Sequence, residues 1–141
     1  MSQTDSIRTP RVHVAFDHID RRYEPGDPIT LKCTVDGLRD EELRALELSL
    51  AWYTEGKGEE DLCVVSFERR TDPGQLPPAA RVVPFATRLP SSPLSYEGVI
   101  VKIRWCVRVR LFFAAGREYV SEHVFDVGGL PPARPLVREA S

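Results

Sequence analysis

Hydrophobic and polar residues alternate one by one along much of this chain, which is the pattern of strands that bury one face. The clearest segment, Pro28–Val35, places four side chains on one face: Ile29, Leu31, Cys33 and Val35. No segment of helical length has the three-to-four-residue spacing of an amphipathic helix. The chain is therefore predicted to be all-β.

Seven strands are predicted, separated by turns rich in proline and glycine. They are Arg11–Phe16, Pro28–Val35, Ala45–Tyr53, Leu62–Arg69, Arg81–Leu89, Val99–Phe113 and Arg117–Val127.

The sixth strand, Val99–Phe113, carries the strongest pattern. Its odd-numbered positions are all apolar and centre on Trp105, so this face is expected to form the middle of the core. The opposite parity holds a row of cations, here called the basic stripe: Lys102, Arg104, Arg108 and Arg110.

Three further strands give specific expectations. The fourth strand is apolar on both faces in its first half, with Cys63, Val65 and Phe67 on one face and Leu62 and Val64 on the other. The fifth contains Pro84, which has no N–H to donate, so this strand is expected at a sheet edge or at a bulge. In the third strand, Ala51 is expected to face outward.

These elements predict an elongated, immunoglobulin-like sandwich of two antiparallel sheets with about seven strands. The sandwich is expected to span residues 11–127, between a flexible N-terminus (1–10) and a flexible, proline-rich C-terminal tail (128–141).

Composition and charge exclude some classes of function. The chain has 141 residues, 42% of them hydrophobic, which suits one domain with a real core. A net charge of −2 argues against a protein that coats nucleic acid. No apolar run is long enough to span a membrane, and the first residues lack the apolar stretch of a secretory signal. A cytoplasmic location is expected.

The three cysteines, Cys33, Cys63 and Cys106, fit reduced thiols in the cytoplasm. Cys33 and Cys63 are expected to be small buried hydrophobic residues. A core disulfide between Cys33 and Cys106, as in immunoglobulin domains, is disfavoured because Cys106 has the parity of the basic stripe.

Two stretches together resemble the arrestin-like domains. One is a turn of the type Y-x-P-G-D before the second strand, and the other is an L-P-x-x-P-x-S-x-x-G segment that leads into a long strand. The residues that fill these patterns are Tyr23, Pro25, Gly26, Phe85, Leu89, Pro90, Pro93, Ser95, Gly98 and Trp105. Gly98 is expected to adopt a positive φ where the chain enters the long strand.

The resemblance covers about Val12 to Val127 and implies a non-catalytic adaptor or scaffold that binds proteins, often cytoplasmic segments of membrane proteins. The chain departs from the family in having one such domain instead of two. It also has Leu31 or Lys32 where the family often has glycine. An interdomain hinge or latch therefore cannot be carried over.

The sequence contains none of the common hydrolase, zinc-protease or nucleotide-binding motifs. The chain is thus predicted not to be an enzyme and to need no cofactor or metal. Ser95 is interpreted as a turn hydroxyl. Asp17, His18 and Asp20 are interpreted as a polar turn, with a metal-dependent enzyme as the weaker alternative.

Two interpretations of the basic stripe remain open. Its cations either pair across strands with acids such as Glu118, Glu122 and Asp126, or they form a surface for an acidic protein partner. Nucleic acid is disfavoured, since no aromatic residues interleave with the cations. Edge-strand pairing with a partner or a second copy is expected at the first or last strand. A structural subunit of a larger assembly, or a homo-oligomer, is the alternative role.

Overall fold

A computed structural model of the chain describes residues 10–37, 43–56, 58, 60–71 and 81–128. Apart from Pro10 and Gly128, the two predicted flexible ends lie outside these residues. The strands are β1 (Arg11–Phe16), β2 (Arg22–Tyr23), β3 (Pro28–Asp36), β4 (Leu43–Gly56), β5 (Leu62–Arg70), β6 (Arg81–Arg88), β7 (Tyr96–Glu97), β8 (Val101–Phe113) and β9 (Glu118–Val127).

The strands form two sheets that pack together, so the predicted all-β sandwich is confirmed. The smaller sheet has the order β1-β3-β6, and the larger has the order β2-β9-β8-β4-β5, with β7 paired to β8 beyond the end of β9. Neighbours are antiparallel except β2 and β9. Among the described residues, no helix is long and apolar enough to cross a membrane.

The core lies between the sheets and is built from the alternating faces that the sequence predicts. All four inward residues of β3 are buried, and so are alternate residues of β4 and β8. Trp105 is fully buried, its ring centroid lies 6.0 Å from that of Phe125, and its Nε1–H donates to the Pro93 carbonyl at 2.9 Å. The polar edge of the indole is therefore satisfied inside the core.

The long strand begins later than predicted. β8 starts at Val101, which pairs with Gly56 at the end of β4, and Val99 lies outside the strand with 63% of its surface exposed. No strand of the described residues continues beyond Gly56 to pair with Val99. The prediction that Val99 shares the core face is therefore wrong.

The expected edge position of Pro84 is confirmed. Pro84 lies in β6, whose only strand partner among the described residues is β3. Contacts from β6 also reach β5 in the other sheet: Ser66 lies 3.5 Å from Thr87, hydroxyl to hydroxyl, and Arg70 donates to the Pro84 carbonyl at 3.0 Å. The edges β5 and β6 therefore lie on the same side of the sandwich.

The arrestin-like motif residues hold one end of the sandwich together. Gly26 has a φ of 83°, as a glycine turn requires, and its N–H donates to the Pro90 carbonyl at 3.2 Å. Ser95 donates its N–H to the Val127 carbonyl at 2.8 Å, and its hydroxyl accepts from the Val127 N–H at 2.9 Å. The two segments of the motif are thus tied to each other and to the end of β9.

Gly98 serves a different purpose from the one expected. It is not among the glycines with positive φ. Instead, a Cβ at this position would lie 2.4 Å from the Val101 carbonyl oxygen and 2.4 Å from the Tyr96 ring. Glycine is needed here because the β7–β8 turn brings backbone and ring too close for a side chain.

Candidate binding surface

The basic stripe lies on the outer face of the larger sheet, and each of its cations has an acidic partner. Arg108 lies 3.1 Å from Glu122 and Arg110 lies 2.7 Å from Glu118, both across the β8–β9 pair. The other two cations pair with acids outside β9: Lys102 with Glu97 at 3.0 Å, and Arg104 with Glu55 at 2.7 Å and Glu97 at 3.5 Å.

The electrostatics agree with this pairing. The hydrogen bond from Arg104 lowers the pKa of Glu55, and the same bond raises the pKa of Arg104. Arg110 also lies over the Phe112 ring at 5.1 Å, as does Arg69. The geometry therefore favours the cross-strand reading, with Glu118 and Glu122 as expected and with Glu55 and Glu97 in place of Asp126. The role of the stripe in partner binding stays a prediction.

Small residues lie on the outer face of the larger sheet, between the basic stripe and β5. Ala51 pairs with Cys106 in the β4–β8 register, and both side chains are fully buried although they face away from the core. Ser49 is also buried. Ala51 therefore faces outward as expected, although it is not exposed to solvent.

The three thiols are all free, and they differ in access. Burial raises the pKa of Cys33 and of Cys106 to about 12, so both are protonated and poorly reactive at neutral pH. Cys63 is exposed, which contradicts its expected burial. It lies on the free edge of β5, where the smaller sheet does not cover it.

Strand β5 is the largest departure from the sequence prediction. Cys63, Val65 and Phe67 were expected to share one face; all three are exposed, and Leu62 and Val64 are exposed as well. Among the described residues, β4 is the only strand paired with β5. A bulge between Leu50 and Ala51 of the β4–β5 register interrupts the alternation, so that Leu62, Val64 and Phe67 lie on the outer face.

A shallow cleft opens where β5 begins. It has a volume of about 240 Å³ and is lined by Tyr53, Glu60, Asp61, Leu62, Arg108 and Glu122. The cleft lies between the exposed apolar residues of β5 and the basic stripe of β8. This edge therefore combines unpaired backbone groups, apolar side chains and charges at its ends.

The Asp17, His18 and Asp20 turn is held by internal hydrogen bonds. The Tyr23 hydroxyl donates to Asp17 at 2.6 Å, and the Asp20 carboxylate accepts from the Arg22 N–H at 3.1 Å. The ring of His18 stacks on Tyr23, with centroids 4.2 Å apart, and its Nδ1 lies 2.7 Å from the Arg22 carbonyl. The described residues contain no cluster of His, Cys, Asp and Glu that could hold a metal.

Asp17 gives a pH-dependent test of this turn. Burial alone would raise its pKa, but hydrogen bonds from the Tyr23 hydroxyl and the Thr30 N–H outweigh burial and lower it below 3.8. A lowered folded-state pKa means that the ionised carboxylate stabilises the fold above the unfolded-state pKa, and that this stabilisation is lost as the pH falls through the folded-state pKa.

Asp17→Asn is expected to lower the free energy of unfolding at pH 7 by about 1 kcal/mol, because the charged acceptor is lost. The difference from the natural chain should shrink below about pH 4. Urea denaturation over a pH series measures both, and Tyr23→Phe, which removes the donor, should show the same trend. A difference that stays constant down to about pH 2 would contradict this role of Asp17.

One polar pair was missed by sequence reasoning. The Ser121 hydroxyl lies 2.9 Å from His123 Nε2, with both residues half-buried in β9. Burial lowers the pKa of His123, and the positive charge of Arg21 lowers it further. Both effects disfavour the imidazolium that would form if His123 took a proton from Ser121, so the pair is a poor nucleophile and base.

Comparison with known proteins gives a structural likeness only. No family model and no curated protein matches the chain. Its structure is similar to that of Spo0M, the sporulation control protein of Bacillus subtilis, with a TM-score of 0.62 and 15% sequence identity over 86% of this chain. This likeness supports an arrestin-like fold.

The likeness has clear bounds. The match covers 50% of the Spo0M chain, so the present chain spans about half of its length. At 15% identity it concerns the fold and not the activity.

Proposed function

We propose that this chain is a non-catalytic, protein-binding adaptor or scaffold, and that it binds by adding a partner strand to the free edge of β5. The observation that carries the proposal is the exposure of four apolar side chains along the nine-residue strand β5, one edge of which has no strand partner among the described residues: Leu62, Val64, Val65 and Phe67. An edge with unpaired backbone N–H and C=O groups beside exposed apolar side chains favours pairing with another strand, and an added strand supplies the missing hydrogen bonds.

The backbone supplies the affinity in this mode of binding. Every second residue of an edge strand turns its N–H and C=O away from its paired neighbour. In β5 these groups lie beside apolar side chains that exclude water from new hydrogen bonds, and Phe67, at 55% exposure, offers the largest anchor. A partner with an extended, alternating apolar segment fits this surface.

The polar groups of the domain support a non-catalytic role. The Ser95 hydroxyl accepts from Val127, Asp17 accepts from Tyr23, and the acids near the basic stripe are occupied by its cations. Each of these groups serves the fold. The likeness to Spo0M, which is named a sporulation control protein, is compatible with regulation through binding, but it adds nothing about this chain's own partner.

Selection from a displayed library of short peptides tests the proposal. The natural chain should enrich extended apolar peptides, and these should protect the backbone amides of residues 62–70 from hydrogen exchange. Val64→Lys should weaken binding at least tenfold, because it places a charge in the apolar row. Val120→Lys is the matched control, since Val120 is 41% exposed on the outer face of β9 and Val64 is 48% exposed.

Equal binding by the two lysine variants would argue against the β5 edge. The proposal would also fail if selected peptides protected amides elsewhere and left β5 unchanged.

A further inference from the structure

We infer that the strand added to β5 is the β5 of a second copy of this chain, in antiparallel orientation. The inference rests on the proposed function and names the partner. It follows from the bulge in β5, from the charges at the two ends of the strand and from the absence of proline and lysine along it.

The bulge makes the outward residues of β5 symmetric about its middle. Before the bulge, the even-numbered Leu62 and Val64 pair with Tyr53 and Ala51 and face outward. After the bulge, outward positions are odd-numbered: Phe67 pairs with Ser49 and Arg69 pairs with Glu47. The outward pattern therefore reads the same from either end of the strand.

This symmetry selects a register for self-pairing. Directly opposed residues of an antiparallel pair lie on the same face of the sheet. If Val64 of one copy opposes Phe67 of the other, Leu62 opposes Arg69, and all four positions lie on the outer face. A strand without the bulge could not satisfy this register, because opposed residues would lie on different faces.

The charges agree with the same register. Glu60 and Asp61 precede β5, and within the described part of the chain neither carboxylate takes part in an ion pair. Arg69 and Arg70 end the strand, where Arg69 pairs with Glu47 and Arg70 with Glu68 of the same chain, so that Asp61 of a second copy would share or replace an existing partner. Antiparallel pairing brings Asp61 of each copy opposite Arg70 of the other, whereas parallel pairing would bring like charges together.

Strand β5 contains neither proline nor lysine, two residues that keep edge strands apart. The neighbouring edge β6 carries Pro84. Self-pairing at β5 would join the two larger sheets into one continuous sheet with an apolar row from both chains at its centre.

Analytical ultracentrifugation over a concentration series tests the inference. The natural chain is expected to show a monomer–dimer equilibrium. Val64→Lys should weaken it at least tenfold, since the substitution occurs twice in each dimer, and Val120→Lys should leave it unchanged. Circular dichroism verifies that both variants are folded.

A charge exchange tests the register. Asp61→Arg and Arg70→Glu are each expected to weaken the dimer about fivefold, because each places like charges opposite one another. The double variant should restore most of the loss, because it exchanges the two charges and again sets opposite signs against each other across the interface. Losses that simply add in the double variant would overturn the register.

The failures of the two proposals are distinguishable. A natural chain that stays monomeric at every concentration overturns self-pairing, and so does a dimer that Val64→Lys leaves intact. If peptides still protect the β5 amides in such a monomer, the proposed strand addition stands. If neither peptides nor a second copy protects β5, both are overturned.

Discussion

Replacement of Trp105 by alanine is expected to destabilise the domain by about 3–5 kcal/mol, the cost typical of removing a buried large aromatic side chain. The indole is fully buried between the sheets and contacts Phe125. Its loss would leave a cavity and remove the donor that satisfies the Pro93 carbonyl. Urea denaturation of the variant measures the effect.

Trp105→Phe is the control, because it keeps most of the apolar volume and removes the N–H. We expect it to cost less than half as much as the alanine variant. A loss below about 1 kcal/mol for Trp105→Ala would mean that Trp105 does not lie at the centre of a packed core.

Gly56→Ala is expected to lower the free energy of unfolding by about 3 kcal/mol or more, because the strain of a positive φ adds to a steric clash. Gly56 has a φ of 148°, and a Cβ there would lie 2.2 Å from the Ile100 carbonyl oxygen. The close atom belongs to backbone, so the β4–β8 ladder itself must shift. Thermal and urea unfolding of the variant measure the loss.

Gly58 provides the comparison two residues further along. Its φ is 96°, and nothing lies within 4 Å of the position its Cβ would take. Gly58→Ala should therefore cost only the conformational part, about 1–2 kcal/mol. Equal losses at both positions would show that close packing at Ile100 contributes nothing.

The sequence predicted the central strands well for a physical reason. In β3, strands pair on both sides and one face is buried, so Ile29 and Leu31 had to alternate with polar residues. Trp105 was placed correctly because a long run of one parity leaves a single choice of inner face. The Pro84 edge followed from the missing N–H alone.

The errors concern features that depend on the neighbouring sheet. The same alternation in β5 predicted that Cys63, Val65 and Phe67 share one face and that Cys63 is buried, but a strand at the end of the larger sheet has only the β6 edge beside it. The bulge could not be predicted from the sequence either, because it arises only when β5 pairs with β4. Parity alone therefore could not distinguish a core strand from an exposed edge.

The ion pairs of the basic stripe also divide into those that the sequence predicts and those that it does not. Partners on the next strand along the chain, such as Glu118 and Glu122, were predicted because a hairpin fixes which residues face each other. Glu55 is 49 residues from Arg104, and only the register of β4 on β8 brings the two together. The sequence therefore named half of the partners of the basic stripe.

The contrast among the thiols provides a chemical reporter without any mutation. A maleimide dye added to the native protein should label Cys63 selectively, since burial holds Cys33 and Cys106 in the unreactive thiol form. Cys63 lies on the free edge of β5 itself. The fluorescence of such a dye would therefore respond whenever that edge becomes occupied.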